Sequence, residues 1–260
     1  RLTVHPPLDL RFQWVGAPFA PTFTLGSNLL VGVGQTYPGT GSPLLVGSGF
    51  CGTTGNCAWY YAVATGLPGM AITYEAASFA YLPPSWAAAL PPDTVVTSLD
   101  LQEGSGVYAM SRSQTTQVGA FTPVVQGAVP PDQLQSTASS EGAQGRVLTA
   151  VSYQGGLVSY VSYGWSLDTS TVYEARVVTT PFDAVVPAAE SLAAEGYVIT
   201  ACGAGNGGAN GLVLVGTRAQ GSTAPRSIVF PANVSLLDGH ALVAFVFDPG
   251  TDTFTLIGER

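Results

Sequence analysis

The sequence predicts an α+β protein built from tandem βαββ pseudo-repeats, four of them clear and a candidate fifth at the N-terminus. Two observations carry this prediction. Residues 171–218 contain one strand, one helix and two further strands in series, and short phrases from this stretch recur in order along the chain. Such self-similarity is typical of repeat architectures. The competing interpretation is that strand and turn sequences rich in Val, Thr and Gly imitate one another.

The unit at 171–218 is defined by its changes of hydrophobic period. Residues 173–179 are β-prone. Apolar residues then follow at spacings of three and four, which places one stripe on a short helix. These residues are Phe182, Val185, Ala189 and Leu192. Gly196 stands where a left-handed cap would end the helix. Strands at 197–201 and 212–218 complete the unit as a hairpin.

Short sequence segments of this unit, which we call phrases, recur elsewhere in the chain and identify its copies. The phrase GYVITA at 196–201 has relatives in GRVLTA at 145–150, GHALVA at 239–244 and, more weakly, DTVVTS at 93–98. The return strand LVGTR at 214–218 reappears as LIGER at 256–260, and the opening YEA at 173–175 reappears at 74–76.

The copies divide the chain into five consecutive parts. They are an irregular β region with the cysteine loop at 1–69, then repeats at 70–117, 118–168, 169–222 and 223–260. Since no low-complexity linker separates them, and since a βαββ unit cannot bury its own faces, we expect one continuous body.

Each of the other repeats shows the same elements. The first has a strand at 71–77, a proline-initiated helical turn at 84–90, and a hairpin of strands 95–101 and 106–112.

The second repeat has a helix beginning near Pro130 and a hairpin of strands 146–153 and 157–164. The imperfect alternation of 157–163 predicts a strand that is covered on both faces or that faces a partner. The last repeat keeps a helix of about one turn at 234–237 and a hairpin that turns at 248–252. In the N-terminal region we expect a hairpin of 29–34 and 44–49 and an aromatic strand at 58–64.

The chain resembles two groups of known proteins. Residues 173–218, with a Tyr-containing first strand, a helix and the phrase Gly-Tyr-Val-Ile, resemble small, poorly characterised bacterial βαββ domains. The length and the order of elements are similar to the pentein superfamily. This second resemblance implies an alternative fold, a five-bladed α/β propeller, and an alternative function, hydrolysis by Cys202 and His240.

Composition excludes some functions. Only 9% of residues are charged, against about 25% in ordinary globular proteins, lysine is absent and the net charge is −8. Such a chain is not suited to nucleic-acid binding, and no apolar run approaches the length of roughly 18 residues of a membrane helix. A charge-poor surface lacks a common barrier to association. The expected partners are therefore other protein subunits, including copies of the same chain.

The cysteines predict export. Cys51 and Cys57 flank a Gly/Thr/Asn loop and are expected to form a disulfide, which needs an oxidising compartment. Two unpaired thiols or half of a metal site are the alternatives, although no second Cys or His pair completes four ligands. Cys202 is expected to be a small buried residue. Starting at Arg1, the chain also reads as a secreted protein after signal removal, or as a tag-cleaved product.

No catalytic, cofactor or metal motif emerges. The G-x-G-x-x-G match at 203–208 is followed by a strand, whereas a dinucleotide site needs a helix there. The two histidines are His5, in a proline-rich segment, and His240, in a variable slot of the recurring phrase, which favours a structural role. Asp248 and Asp252 flank a Pro-Gly turn, where Asp is favoured without any metal. We therefore predict no catalytic site, no cofactor and no metal.

Aromatic residues offer a candidate binding face. Two groups could stack on a carbohydrate or another polymer, with core packing as the alternative. They are Trp59, Tyr60, Tyr61, Tyr160, Tyr163 and Trp165. The leading hypothesis is a non-catalytic structural or binding protein, extracellular, at the cell surface or in the periplasm, working as a subunit of an assembly. An aromatic-lined binding module and the hydrolase are the alternatives.

Overall fold

The computed structural model describes the protein in segments, and the later part of the chain is the most complete. The described segments are 23–26, 42–44, 50–51, 57–58, 61–64, 70–75, 81–89, 94–102, 106–113, 121–166, 169–204, 211–232, 240–248 and 253–260. Within them the fold is α+β, with small antiparallel sheets and short helices. The helix predicted at 234–237 and the strand predicted at 29–34 lie outside these residues.

Twelve strands form four three-stranded sheets, which we call sheets I to IV. Sheet I holds β6 (Met70–Glu75), β7 (Thr94–Gln102) and β8 (Gly106–Ser113). Sheet II holds β9 (Phe121–Val129), β10 (Val147–Gln154) and β11 (Leu157–Trp165). Sheet III holds β12 (Tyr173–Thr180), β13 (Val198–Ala204) and β14 (Leu212–Ala219). Sheet IV holds β15 (Ile228–Val229), β16 (Ala241–Asp248) and β17 (Thr253–Glu259).

Shorter strands precede these sheets. The N-terminal sheet holds β1 (Phe23–Gly26), β2 (Ser42–Leu44) and β5 (Tyr61–Ala64). A two-stranded pair, β3 (Phe50–Cys51) and β4 (Cys57–Ala58), lies between β2 and β5 in the chain. The aromatic strand predicted at 58–64 is therefore divided between β4 and β5.

All five three-stranded sheets have the same strand order, in which the third strand lies between the first and the second. Each pairing within them is antiparallel. The second strand is consequently an edge strand in every sheet. The strand order of the described residues shows no closed barrel or propeller.

The helices connect first strands to second strands. A 3₁₀ helix (Pro84–Ala89) does so in sheet I, α1 (Leu134–Ala143) in sheet II and α2 (Val185–Ala194) in sheet III. The predicted apolar stripe of α2 is buried at Val185, Ala189 and Leu192, and Gly196 has the predicted left-handed conformation, with φ +83°. Among the described residues, no helix is both long and apolar enough to cross a membrane.

A β-bulge occurs at one position of the second strand in each of sheets I to IV. The register shifts by one residue between Val96 and Ser98, between Leu148 and Ala150, between Ile199 and Ala201, and between Leu242 and Ala244. The inserted residue is thus the fifth of each recurring six-residue phrase. Because a bulge leaves one residue out of the ladder, it redirects that side chain toward a neighbour.

The core lies between consecutive sheets. One cluster joins sheets I and II through residues such as Leu99, Leu101, Val125 and Val161. A second joins sheets II and III and the buried side of α1. Strand β11 is buried from Val158 to Gly164, as predicted for a strand covered on both faces.

Candidate functional site

One polar cluster surrounds Glu141, near the end of α1. Arg146, which follows α1, donates from Nε to Glu141 Oε2 at 2.9 Å, and both side chains are largely buried. Ser162 Oγ donates to the same oxygen at 2.5 Å, and Tyr160 Oη donates to Oε1 at 3.2 Å. Three donors therefore surround the carboxylate, which leaves little of it for another group.

Arg146 extends this cluster across sheet II. Its guanidinium donates to the carbonyl oxygen of Thr122 at 2.6 Å and to that of Ser162 at 3.2 Å. Burial, and then the neighbouring Glu141 charge, raises the pKa of the Tyr160 phenol well above its ordinary value. A phenol that keeps its proton and a carboxylate with three donors hold α1 against sheet II.

A second polar cluster lies at the corresponding end of sheet III. Arg218 donates from Nε to Glu174 Oε2 at 2.7 Å and also contacts the backbone oxygen of Glu195. Its guanidinium carbon lies 4.3 Å from the ring centre of Tyr197. This cation–π contact places the charge over an aromatic face instead of in water.

The second position of the recurring six-residue phrase varies in residue type, and in three sheets its side chain makes a polar or cation–π contact. Arg146, Tyr197 and His240 each immediately precede a second strand. His240 is buried, and its Nε2 lies 2.8 Å from Ser227 Oγ. In each case a large polar or aromatic side chain closes the end of its sheet.

The two residues of the hydrolase hypothesis belong to different sheets. Cys202 is half-buried in β13, opposite Leu214. His240 lies before β16, with Nε2 directed at Ser227. Among the described residues, no group of three or more His, Cys, Asp or Glu side chains could hold a metal ion.

The aromatic residues of the predicted binding face are divided by the structure. Tyr160 and Tyr163 are only 2% and 0% exposed. The prediction that these two side chains present their rings to a ligand is therefore wrong. The reason is that β11 is the central strand of sheet II and is covered on both faces. Trp165 is half-buried. Only the backbone of Tyr61 is described, and Trp59 and Tyr60 lie outside the described residues.

The backbone register places Cys51 directly opposite Cys57 in the β3–β4 pair. In antiparallel strands, opposed Cα atoms are about 4.5 to 5.5 Å apart. Disulfides span Cα separations of about 4.4 to 6.8 Å. The two backbones are therefore compatible with the predicted bond.

Bonds across the sheet boundaries form a third group of polar contacts. The Val96 amide of β7 donates to Tyr163 Oη of sheet II at 3.0 Å, and Thr149 Oγ1 donates to the Val96 carbonyl oxygen at 2.6 Å. The Leu101 amide donates to Ser152 Oγ at 2.9 Å. Sheet II thus provides hydrogen-bonding partners for the edge of sheet I, which would otherwise attract another strand.

The same contact recurs between sheets III and IV. Glu259 is fully buried, and its carboxylate accepts the Ile199 amide hydrogen at 3.2 Å. Ile199 and Val96 both immediately precede a bulge. Burial lowers the pKa of Arg226, and the Glu259 charge opposes that lowering. Glu259 thus stabilises both an amide and a buried guanidinium.

Sequence reasoning missed these boundary contacts. The signal that could have found them was a polar residue within an apolar strand, as at Thr149, Ser152, Tyr163 and Glu259. Buried polar side chains are nearly always hydrogen-bonded, so each of these implied a partner.

Helix α1 covers another sheet edge in the same manner. Gln135 accepts the Val177 amide hydrogen at 2.8 Å and donates to the Ala175 carbonyl oxygen at 2.9 Å. One side-chain amide thereby pairs with β12 as a strand would. The helix of sheet II therefore protects the first strand of sheet III.

Comparison with protein-family models, with curated proteins and with solved structures finds no match for the chain. The arrangement of its own polar side chains is therefore the basis for a functional proposal.

Proposed function

We propose that the chain is a non-catalytic structural or binding protein that is exported and works as a subunit of a cell-surface or periplasmic assembly. One observation carries the proposal: three glutamate carboxylates of the described residues are bonded to other parts of the fold. The carboxylates of Glu141, Glu174 and Glu259 each face a guanidinium or a backbone amide of the protein itself. Side chains used in this way stabilise a scaffold.

We further propose that sheets I to IV derive from one βαββ module, with the N-terminal sheet as a fifth copy. The shared strand order supports this, and so does the bulge at one position of the recurring phrase. Bulges are retained within families because they redirect specific side chains. Independent strands would have no reason to place a bulge at the same residue four times.

Export is supported by the register of the β3–β4 pair. A Cys51–Cys57 bond would close a short loop, and such bonds persist in oxidising compartments. Assembly is supported by composition, because a chain in which only 9% of the residues are charged presents few like charges to a neighbouring subunit.

The test is the mass of the native particle. The envelope fraction of the source cells would be extracted under mild conditions and the protein's particle mass measured by light scattering. We expect a particle at least twice the chain mass of 26.6 kDa and its absence from the cytoplasmic fraction. A 26.6 kDa particle, or recovery in the cytoplasm, would contradict the proposal.

A further inference from the structure

The helices of sheets I to III lie beside the first strand of the sheet that follows, or beside the residues that lead to it. The 3₁₀ helix of sheet I packs against β9, and α1 packs against β12. The amide of Arg226, just before β15, donates to the carbonyl oxygen of Ala193 in α2 at 2.9 Å. Because the first strand is an edge of its own sheet, these helices are placed to cover strand edges.

At β12 the covering helix bonds directly to the strand edge. Gln135 of α1 donates to the Ala175 carbonyl oxygen at 2.9 Å and accepts the Val177 amide hydrogen at 2.8 Å. A residue of a parallel strand bonds in the same way, to the two residues that flank the one opposite it. The side-chain amide of Gln135 therefore takes the place of one residue of a parallel strand.

The sequence of α1 makes it a weaker helix than α2. Five of its ten residues are Ser, Thr or Gly, which are poorer helix formers than Ala or Leu. Ser136 and Ser139 also donate to backbone oxygens of the preceding turn, which weakens a helix slightly. The buried residues of the two helices are Leu134, Ala138 and Gly142 in α1, and Val185, Ala189, Leu192 and Ala193 in α2. The largest apolar side chain that α1 buries is thus a single leucine.

The contacts at the other end of α1 are polar. Glu141 accepts hydrogen bonds from Arg146, Ser162 and Tyr160. Water can replace these bonds when the helix opens, so their net contribution is smaller than their strength in isolation. Arg146 would keep its bonds to the carbonyl oxygens of Thr122 and Ser162. A helix with little buried apolar surface and replaceable polar contacts belongs to the low-stability part of a fold.

We propose that α1 is a lid on the edge of β12. The lid opens as a unit while sheets II and III stay folded, and Gln135 couples it to the strand. Opening therefore releases the Ala175 carbonyl oxygen and the Val177 amide together. A strand edge released in this way accepts an extended segment of another chain. The opening of α1 does not depend on the proposed function, so a fixed α1 would leave that proposal standing.

Amide hydrogen exchange of the full-length chain, resolved by residue at several low urea concentrations, tests the lid. We expect the amides of 138–143 and of Val177 to be at least about tenfold less protected than that of Val178, with one shared dependence on urea. Val178 is the internal control, because alternation along β12 directs its amide toward Leu214 of β14.

Two results would overturn the proposal. One is a protection of 138–143 within about tenfold of that of Val178, which means that α1 opens only with the whole fold. The other is a protection of Val177 that differs from that of 138–143 by more than about tenfold, which means that the helix and the strand edge open separately.

A pair of variants tests the coupling through Gln135. Alanine is at least as good a helix former as glutamine, so Gln135→Ala keeps the helix but removes the acceptor of the Val177 amide. We expect Val177 to lose about tenfold of its protection and to become less protected than 138–143. Gln144→Ala, at the exposed glutamine that donates to Ser140, is the matched control. It should change the protection of Val177 by no more than about twofold. Equal effects of the two variants on Val177 would contradict the proposal.

Discussion

The carboxylate of Glu259 accepts the amide hydrogen of Ile199 across the boundary between sheets III and IV, at 3.2 Å. The residues lie 60 positions apart in the sequence. Glu259 is fully buried, and its charge also favours the charged form of Arg226. One side chain thus stabilises the edge of sheet III and the half-buried cation of Arg226.

Two substitutions of Glu259 separate its contributions. Glu259→Leu leaves the Ile199 amide and the Arg226 charge buried without this partner, so we expect a loss of about 3 kcal/mol or more in the free energy of unfolding. Glu259→Gln keeps an acceptor for the Ile199 amide. Its loss in the free energy of unfolding should therefore be smaller than that of Glu259→Leu by at least about 1 kcal/mol. Urea unfolding of both variants measures the difference. Equal losses would mean that the amide bond contributes nothing.

Two tyrosines make the protein sensitive to alkali. Burial raises the pKa of Tyr160 and Tyr163 well above the unfolded value of about 10, with the Glu141 charge adding to the shift at Tyr160. The unfolded chain therefore releases these protons first as the pH rises. Their contribution to stability is complete below about pH 10 and declines above it.

Absorbance of the phenolate form checks this expectation. Both phenols should ionise only together with unfolding, above the pH of about 10 at which a free tyrosine does. In the Tyr163→Phe variant, the absorbance change that accompanies unfolding should be smaller by the contribution of one tyrosine. Ionisation of both phenols in the folded protein near pH 10 would contradict their burial.

At Gly142 in α1, we expect substitution by alanine to have the opposite effect on stability to the one that helix propensity predicts. Replacement of a helical glycine by alanine normally stabilises by about 1 kcal/mol. A Cβ at Gly142, however, would lie 2.5 Å from the backbone oxygen of Tyr173. We expect Gly142→Ala to destabilise the protein by about 1 to 3 kcal/mol, because α1 must move away from β12.

Thermal or urea unfolding measures the Gly142 effect, with Ser140→Ala on the exposed side of α1 as the control. The control should change stability by a few tenths of a kcal/mol at most. A stabilised Gly142→Ala variant would show that α1 and β12 are not in close contact.

The N-terminal cysteines predict a chemical result. Peptide mapping without reductant should recover 51 and 57 in one cross-linked peptide, and reduction should lower the free energy of unfolding by about 2 kcal/mol. The double variant Cys51→Ser, Cys57→Ser is the matched control. Its free energy of unfolding should not change when reductant is added. Free thiols at both positions in material from the source cells would remove the argument for export.

The sequence predicted most local structure from 121 onward. The period change at 182–192 located α2, and the glycine at 196 located its end, because these signals depend on residues close in the chain. The structure adds a 3₁₀ turn before each α-helix, Pro131–Gln133 before α1 and Phe182–Ala184 before α2. Both turns begin after a proline, which disfavours the helical conformation in the residue before it.

The contacts between sheets could not be predicted in the same way. Tyr163 bonds a residue 67 positions away, and the strand's pattern shows that it is buried but not which sheet covers it. The same limit explains the error at Tyr160 and Tyr163. An aromatic strand has one composition whether it faces solvent or lies in the middle of a covered sheet.

The central claim is that side chains of one sheet bond the edge of the sheet before it, and exchange of the Val96 amide with solvent deuterium tests it most directly. The bond to Tyr163 predicts slow exchange at Val96, comparable to amides within a sheet ladder. Tyr163→Phe should then speed exchange at Val96 while leaving Ile199 unchanged, since Ile199 depends on Glu259. Fast exchange at Val96 in the unmodified protein, or no effect of Tyr163→Phe, would contradict the account.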